Sequence, residues 1–338
     1  MKRLPTRVLL AVLAVTALVV AACGGGSNKS STSGSTAASG GGTQSVSQTQ
    51  GSGLTIAMVT HSDEGSFWSV VKKGAQQAAQ DEGVKLIWSP SNNDPQKEAQ
   101  LIDAAVSQKV DGLAVSVPNA SAIKDSLAKA KAAGIPIVTL NSGADDFKSL
   151  GALTHVGQTE TIAGKAAGAR LKADGVKKVL CVIHEQNNIG LQQRCDGVKQ
   201  GFGGPVTNLQ VKGTADIATT QTEIKSKLQA DKSFDGVIAL NPDIASAAKT
   251  AIKGASSNAK LATFDLSPAV LKDISSGNVE FAVDQQQYLQ GYLPIVFLKL
   301  YKENLNTVGG GLPVLTGPGF VDKSNASTVA KLAEAGTR

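Results

Sequence analysis

The sequence predicts an α/β protein built as two doubly wound, Rossmann-like lobes. Three observations lead there. From Leu54 onward, short apolar runs alternate with amphipathic helical stretches, the pattern of β-α-β units around a parallel sheet. The alternation loosens between Phe147 and Leu153 and then restarts, which divides the body into two halves of about 100–150 residues. Neither half carries a GxGxxG or GxxxxGK[ST] phosphate loop after its strands, which argues against a dinucleotide or nucleotide enzyme.

The N-terminus comes first. Lys2, Arg3 and Arg7 flank an apolar run of 15 residues, Val8 to Ala22. That is shorter than the ~20 residues a spanning helix needs and fits the core of an export signal. The run ends in Val20-Ala21-Ala22-Cys23, which resembles a bacterial lipobox. The resemblance implies a signal peptide over 1–22 and acylation of Cys23; the alternative is a chance cysteine behind a plain signal peptide. Residues Gly24 to Gly53 contain 9 Gly and 9 Ser and cannot bury a core. With Cys23 they read as a flexible tether over 23–53, with a mean span of about 30 Å. The expected location is therefore outside the cytoplasm, lipid-anchored to the outer face of the cytoplasmic membrane or periplasmic.

In the body, Leu54–Thr60 reads as a strand and Phe67–Glu82 as a helix stopped by Gly83. VKLIWS, GLAVSV and IPIVTL follow as strands, separated by helices from about Pro95 to Gln108 and Ala120 to Ala133. After the restart, Thr161–Ala173 reads as helix and KKVLCVIH as strand. A helix from about Gly190 to Gly201 and the strand LQVKGT come next, then a helix near Gln221–Ala230. GVIAL and KLATFD are strands around a helix at Ala245–Gly254, and a helix at Pro268–Gly277 leads to VEFAVDQ. A long helix from about Tyr288 to Asn304, a triple-glycine loop at 309–311 and an extended run over Val314–Val321 complete the pattern.

The 33 Lys and Arg outnumber 27 Asp and Glu, but Lys2, Arg3, Arg7 and Lys29 precede the body. What remains is 29 against 27, with no basic run, which speaks against a nucleic-acid partner. Besides Cys23 there are two cysteines, Cys181 and Cys195. In an oxidising compartment they could pair across a short loop or stay as two buried thiols. No CxxC occurs and the three histidines are scattered, so no metal site is expected. No cofactor is expected either. In doubly wound sheets ligands sit beyond the carboxyl ends of strands, and with two lobes the natural place is the cleft between them.

The ordered set of these segments resembles the ribose-type (type 1) periplasmic sugar-binding proteins. The likeness is carried by Thr55-Ile-Ala-Met-Val-Thr60, Gly65-Ser-Phe-Trp-Ser-Val-Val-Lys-Lys-Gly-Ala75, Gly112–Val117 and Ile135–Leu140. His155-Val-Gly-Gln158, Phe264-Asp265 and Asp284-Gln-Gln-Gln-Tyr-Leu-Gln-Gly-Tyr292 extend it to about Val321. It implies the type 1 periplasmic binding protein fold, with a three-crossover hinge. Lobe boundaries would be 54–157 plus 286–312 and 158–285 plus 313–338, with hinges at Gly157-Gln158, at Asp284-Gln285 and after Gly311. It also implies a monomeric solute receptor for an ABC permease, binding a small carbohydrate or polyol.

The ligand residues this resemblance implies are Phe67 and Trp68 against the ligand face, with Asn141, Arg194, Asn241, Asp265 and Gln285 as polar partners. Helix-start packing is the competing role for the two aromatics. Asp265, at a strand end, would be satisfied by Arg194 and ligand hydroxyls. Asp63, Gln158, His184, Glu185, Asn187 and Asp284 form a second rank. Ribose-type members have an Asp-Arg pair where Asn141-Ser142 stands, and an aromatic where Ile217 stands, so a different hydroxyl pattern is expected. Trp68, Phe67 and Tyr288 are few stacking platforms, which favours a monosaccharide or short polyol over an oligosaccharide. Two other functions compete. One is a sugar or autoinducer sensor docking on a signalling receptor. The other is a glycosidase using Asp265 and Asp284 as paired carboxylates.

Overall fold

A computed structural model describes residues 52–338; the expected export signal, Cys23 and the tether up to Gly51 lie outside the described residues. Two six-stranded sheets organise the body. The first sheet takes β1 (Thr55–Thr60), β2 (Lys85–Pro90), β3 (Gly112–Ser116), β4 (Ile137–Asn141), β5 (His155–Gly157) and β11 (Val314–Leu315). Its order is β11-β5-β4-β3-β1-β2 and every pairing is parallel. The second takes β6 (Val179–Ile183), β7 (Val206–Gln210), β8 (Gly236–Ala239), β9 (Lys260–Phe264), β10 (Phe281–Asp284) and β12 (Gly319–Asp322). Its order is β12-β10-β9-β8-β6-β7, parallel except where β12 meets β10.

The strands that read as continuous apolar runs are buried on both faces. β3, β4, β6 and β8 contain no exposed residue. The helices between them are set by their first residues. Asp94 accepts from the Gln96 and Lys97 N–H groups ahead of α2 (Pro95–Ser107), and Asn241 caps α7 (Pro242–Gly254) in the same way. Each has proline at the first helical position, where its missing N–H costs nothing.

The chain passes between the sheets three times. It leaves the first after β5 and enters the second through α4 (Glu160–Ala173). It returns after β10 through α9 (Gln287–Asn304), which packs on α1 (Gly65–Glu82). The third passage falls between β11 and β12. Val314 and Leu315 pair with β5, so they stand with the first sheet rather than the second, a few residues beyond the expected break at 312/313. The run read as one extended segment over 314–321 is therefore two short strands in two sheets. LQVKGT also starts earlier than read: the strand is Val206–Gln210, and Val211 onward turns toward the next helix. That helix, α6 (Ile217–Ala230), begins four residues before the reading.

Cys181 on β6 and Cys195 on α5 (Ile189–Phe202) are joined by a disulfide, with Cα atoms 5.9 Å apart. α4 and α5 lie close together because Gly164 faces the neighbour: a Cβ there would stand 2.1 Å from the Arg194 carbonyl oxygen. That approach brings Glu160 against Arg194.

Candidate functional site

The carboxyl ends of β1, β4, β6, β8, β9 and β10 point into one cleft between the sheets. Its inner cavity is lined by Phe67, Trp68, Asn141, Arg194, Asn241, Asp265 and Gln285. These are the seven residues singled out in the sequence, now brought together. His184 and Glu185 line it as well. Asn187 lines a neighbouring outer cavity instead. Asp63, Gln158 and Asp284 lie outside the inner lining. Gln158 is buried and donates to Glu160 at 3.1 Å. Asp284 is sealed at the second crossover, where Arg338 Nε donates to it at 2.7 Å. Two expectations about aromatic walls also change. Tyr288 stacks on Tyr292 outside the cavity, and Ile217 sits exposed at the start of α6, while Thr214 occupies the wall nearby.

The aromatic side is built by α1. Phe67 and Trp68 pack edge to face, and Trp68 meets the His61 ring in the same manner at 4.9 Å. Both aromatics also belong to the core of the first lobe, so they serve packing and cavity wall at once. His61, directly after β1, is fixed by Ser116, whose Oγ lies 2.8 Å from Nδ1 and accepts the His61 backbone N–H.

Asn141 and Asp265 both adopt left-handed backbone conformations, with φ of 59° and 68°. Such values are uncommon outside glycine, and Asn and Asp tolerate them best. The turn aims each side chain from its strand end back into the cleft. Asn141 donates to Gln290 at 3.3 Å. Asp265 accepts from Gln285 Nε2 at 2.7 Å. Burial pushes its carboxyl up to about 7, against the pull of Arg194 and the Gln285 bond.

The expected direct pairing of Arg194 with Asp265 is not made. Arg194 is bidentate on Glu160: Nη2 donates at 2.9 Å, and Nε donates to the other oxygen. It donates further to the Leu240 carbonyl at 3.3 Å and lies over the Phe264 ring. Burial alone would lower its pKa, but Glu160 outweighs that and holds it above the ordinary value. The close α4–α5 contact supplies Arg194 with a nearer acid than the one anticipated.

Asn241 also carries a second role, since its side-chain oxygen caps α7 at 2.7 Å from the Asp243 N–H. Glu185 is buried, which would raise its pKa, yet His61, His184 and Asn188 together hold it well below the carboxylate range. Burial lowers the pKa of His184 and favours the neutral ring.

Several polar contacts tie the lobes across the cleft, among them the Ile189 N–H to the Pro118 carbonyl and Gln193 to Asp145, each at 3.0 Å. His61 Nε2 lies 3.5 Å from Glu185 Oε2. Ser142 Oγ reaches Asn188 Oδ1 at 3.4 Å. Thr214 Oγ1 donates to Glu64 at 3.3 Å. Asp243 Oδ2 accepts from the Ser66 N–H at 3.1 Å. The sequence reading missed His61, Asn188, Glu160 and Asp243. His61 follows β1 directly, so the rule that put Asn141 in the site also points to it, whereas Asn188 is the N-cap of α5, five residues beyond the end of β6.

Comparisons with known proteins agree with this geometry. A family model described as "Periplasmic binding protein domain" matches residues 56–304. A carbohydrate transporter from Acidothermus cellulolyticus 11B, solved in complex with myo-inositol, is 48% identical, with a TM-score of 0.83. That match covers 85% of this chain and 100% of the other. The xylose/arabinose-binding protein of Sulfolobus acidocaldarius is 27% identical over 80% of this chain and 71% of its own. The ribose import binding protein of Haemophilus influenzae is 27% identical over 75% and 87%.

Proposed function

The chain belongs to the periplasmic binding protein domain family, and we propose that it is the extracytoplasmic solute receptor of an ABC importer, taking a monosaccharide or small cyclic polyol between its lobes. One observation carries the reading. Amide side chains and a buried acid from strand ends of two different sheets, with two aromatics from the start of α1, converge on one cavity. Hydroxyls both donate and accept, and the amides of Asn141, Asn241 and Gln285 with the Asp265 carboxyl offer both partners. The one guanidinium in the lining is already matched by Glu160, which disfavours an anionic ligand. Among neutral ligands, myo-inositol is the first choice, supported by the 48% identical relative that holds it.

The mechanism is hinge closure. The inner cavity is small and narrow as the lobes stand, about 30 Å³. A ring-sized ligand enters only when the lobes separate at the three crossovers. The ligand then shifts the population toward closure by the contacts it makes in the closed form alone. The chemistry is binding without catalysis: Asp284, the second acid a glycosidase would need, is held by Arg338 away from the cavity.

A thermal-shift screen of pentoses, hexoses, inositols, linear polyols, nucleosides and amino acids tests the assignment. A ligand at 100 times its Kd adds about 2.7 kcal/mol of apparent stability. A shift with one sugar or polyol class supports the reading. Shifts confined to nucleosides or amino acids overturn it. The proposal extends to the N-terminus: residues 1–22 export the chain, Cys23 is acylated, and a monomer reaches its permease on the Gly/Ser tether. Incorporation of an alkyne-tagged fatty acid that Cys23→Ala does not abolish would refute the anchor.

A further inference from the structure

Beyond the inner cavity, the cleft widens into a second, outer cavity of about 330 Å³. That lies at the lower end of the volumes small-ligand sites occupy. Both lobes build it: Asn93, Pro95, Glu98 and Pro118 from the first, Asn187 and Lys212 from the second. It shares His61, Glu185 and Asn188 with the inner cavity as a common wall. In that wall His61 Nε2 stands 3.5 Å from both Glu185 Oε2 and Asn188 Nδ2. His61 belongs to the first lobe and the other two to the second. The partition therefore parts along the lobe boundary when the cleft opens, and a ligand can lie across it.

Glu98 is the unexplained group. It is 1% exposed, and its Oε1 has no hydrogen-bond partner among the described residues. Burial raises its pKa to about 8, so at neutral pH it carries a proton it can donate. An unpartnered buried carboxyl is costly. An acid in the first turn of a helix gains from the dipole, but Asp94 already takes the Gln96 and Lys97 N–H groups. A solvent-facing acid would gain as much without the burial cost.

We propose that the outer cavity is a subsite for a second ring, so that the receptor takes a glycosylated cyclic polyol, with Glu98 as hydrogen-bond partner to a hydroxyl of the outer ring. Pro95 and Pro118 offer apolar surface to the C–H groups of such a ring, and the amides of Asn93 and Asn187 with Lys212 offer polar partners from either lobe. The inference rests on the polyol reading of the inner cavity and deepens it.

Calorimetry with myo-inositol and with an α-galactosyl myo-inositol tests it. The expected result is binding of both, with the galactosyl compound at least tenfold tighter. Two variants then lower the ratio of the two affinities at least fivefold. Glu98→Leu removes the acid at similar volume, and Ala215→Trp fills the cavity from an exposed position on its wall. Binding of myo-inositol with no gain from the second ring overturns the subsite and leaves an entrance channel. So does a gain that neither variant reduces. If myo-inositol itself does not bind, the polyol reading fails first and the subsite falls with it.

Discussion

Asp243 is predicted to set ligand affinity without touching the ligand. It stands in the first turn of α7 in the second lobe, yet it closes the N-terminus of α1 in the first. Its Oδ2 accepts from the Ser66 N–H at 3.1 Å and lies 3.4 Å from Ser66 Oγ. The helix's own N-cap residue, Glu64, makes no side-chain capping bond, so the cap comes from across the cleft. Gly65 makes room for it: φ is +80°, and a Cβ would stand 2.4 Å from Asp243 Oδ2. These bonds exist only when the lobes meet. A charge-assisted hydrogen bond contributes about 1.5–3 kcal/mol when buried, and a carboxylate at a helix N-terminus about 0.3–1 kcal/mol. Asp243 is half-buried, so about 1–2 kcal/mol is the reasonable share.

Removing that share lowers the closure equilibrium by roughly 5- to 30-fold at ~1.4 kcal/mol per decade. If the open form dominates without ligand, apparent Kd rises by the same factor. Asp243→Ala should therefore raise the ligand dissociation rate about 5- to 30-fold in a stopped-flow chase, with little change in association. Asp243→Asn keeps an acceptor and should fall between. Gly65→Ala displaces the same carboxylate, so the double variant with Asp243→Ala should be no worse than the more damaging single one. An Asp243→Ala protein with Kd and dissociation rate within twofold of the parent would sink the reasoning, as would additive losses in the pair.

Three further outcomes are expected. Asp265→Asn should weaken ligand binding at least tenfold by calorimetry while raising the ligand-free melting temperature at pH 8, since it removes an acid that burial holds up to about 7. Lower affinity without added stability would contradict that cost. Glu160→Ala leaves the buried Arg194 guanidinium without its bidentate partner and should cost about 3–5 kcal/mol in urea unfolding; a loss under 1 kcal/mol would show the pair to be dispensable. Glu98 has a pKa raised from 4.5 to about 8 in the fold, so the stability gained by holding its proton is complete below about pH 4.5 and is lost as pH rises through about 8. At ~1.36 kcal/mol per unit the ceiling is about 5 kcal/mol. Glu98→Gln should gain stability over the parent progressively across that window, and a difference independent of pH would refute the assignment.

How far the sequence reached depended on the range of the contact involved. Strands such as GLAVSV and KKVLCVIH were legible because double-sided burial demands an unbroken apolar run. Of the seven inner-cavity residues, Asn141, Asn241, Asp265 and Gln285 were legible because strand ends in this topology face one cleft, while Phe67, Trp68 and Arg194, which stand on helices, came from the resemblance to the sugar-binding family. Residues 314–321 were not. An extended run says nothing of its partner, and this one splits between a parallel pairing with β5 and an antiparallel pairing with β10. Asp243 and Glu160 escaped for a related reason. Each meets its partner through the approach of two separate helices, 177 and 34 residues apart in sequence. Local pattern carries no signal of that. Asp284 looked like a ligand residue until the approach of Arg338 gave it another partner.

The missed residues explain the ones that were found. A strand-end acid and a helix arginine in one cleft suggest an ion pair, and that pair would have left little for a neutral ligand to add. Glu160 changes this by taking the guanidinium on its far side, through two hydrogen bonds. Asp265 is left with an amide donor, Gln285, and a raised affinity for a proton. Glu185 is likewise settled by His61 and Asn188 before any ligand arrives. An anion would meet an Arg194 whose charge Glu160 already balances, so no free positive charge in the lining offsets its desolvation. A hydroxyl need only join groups already in place, as donor to one and acceptor from the next. Selectivity for a neutral polyhydroxyl ring thus follows less from the residues that would touch it than from those that neutralise them from behind.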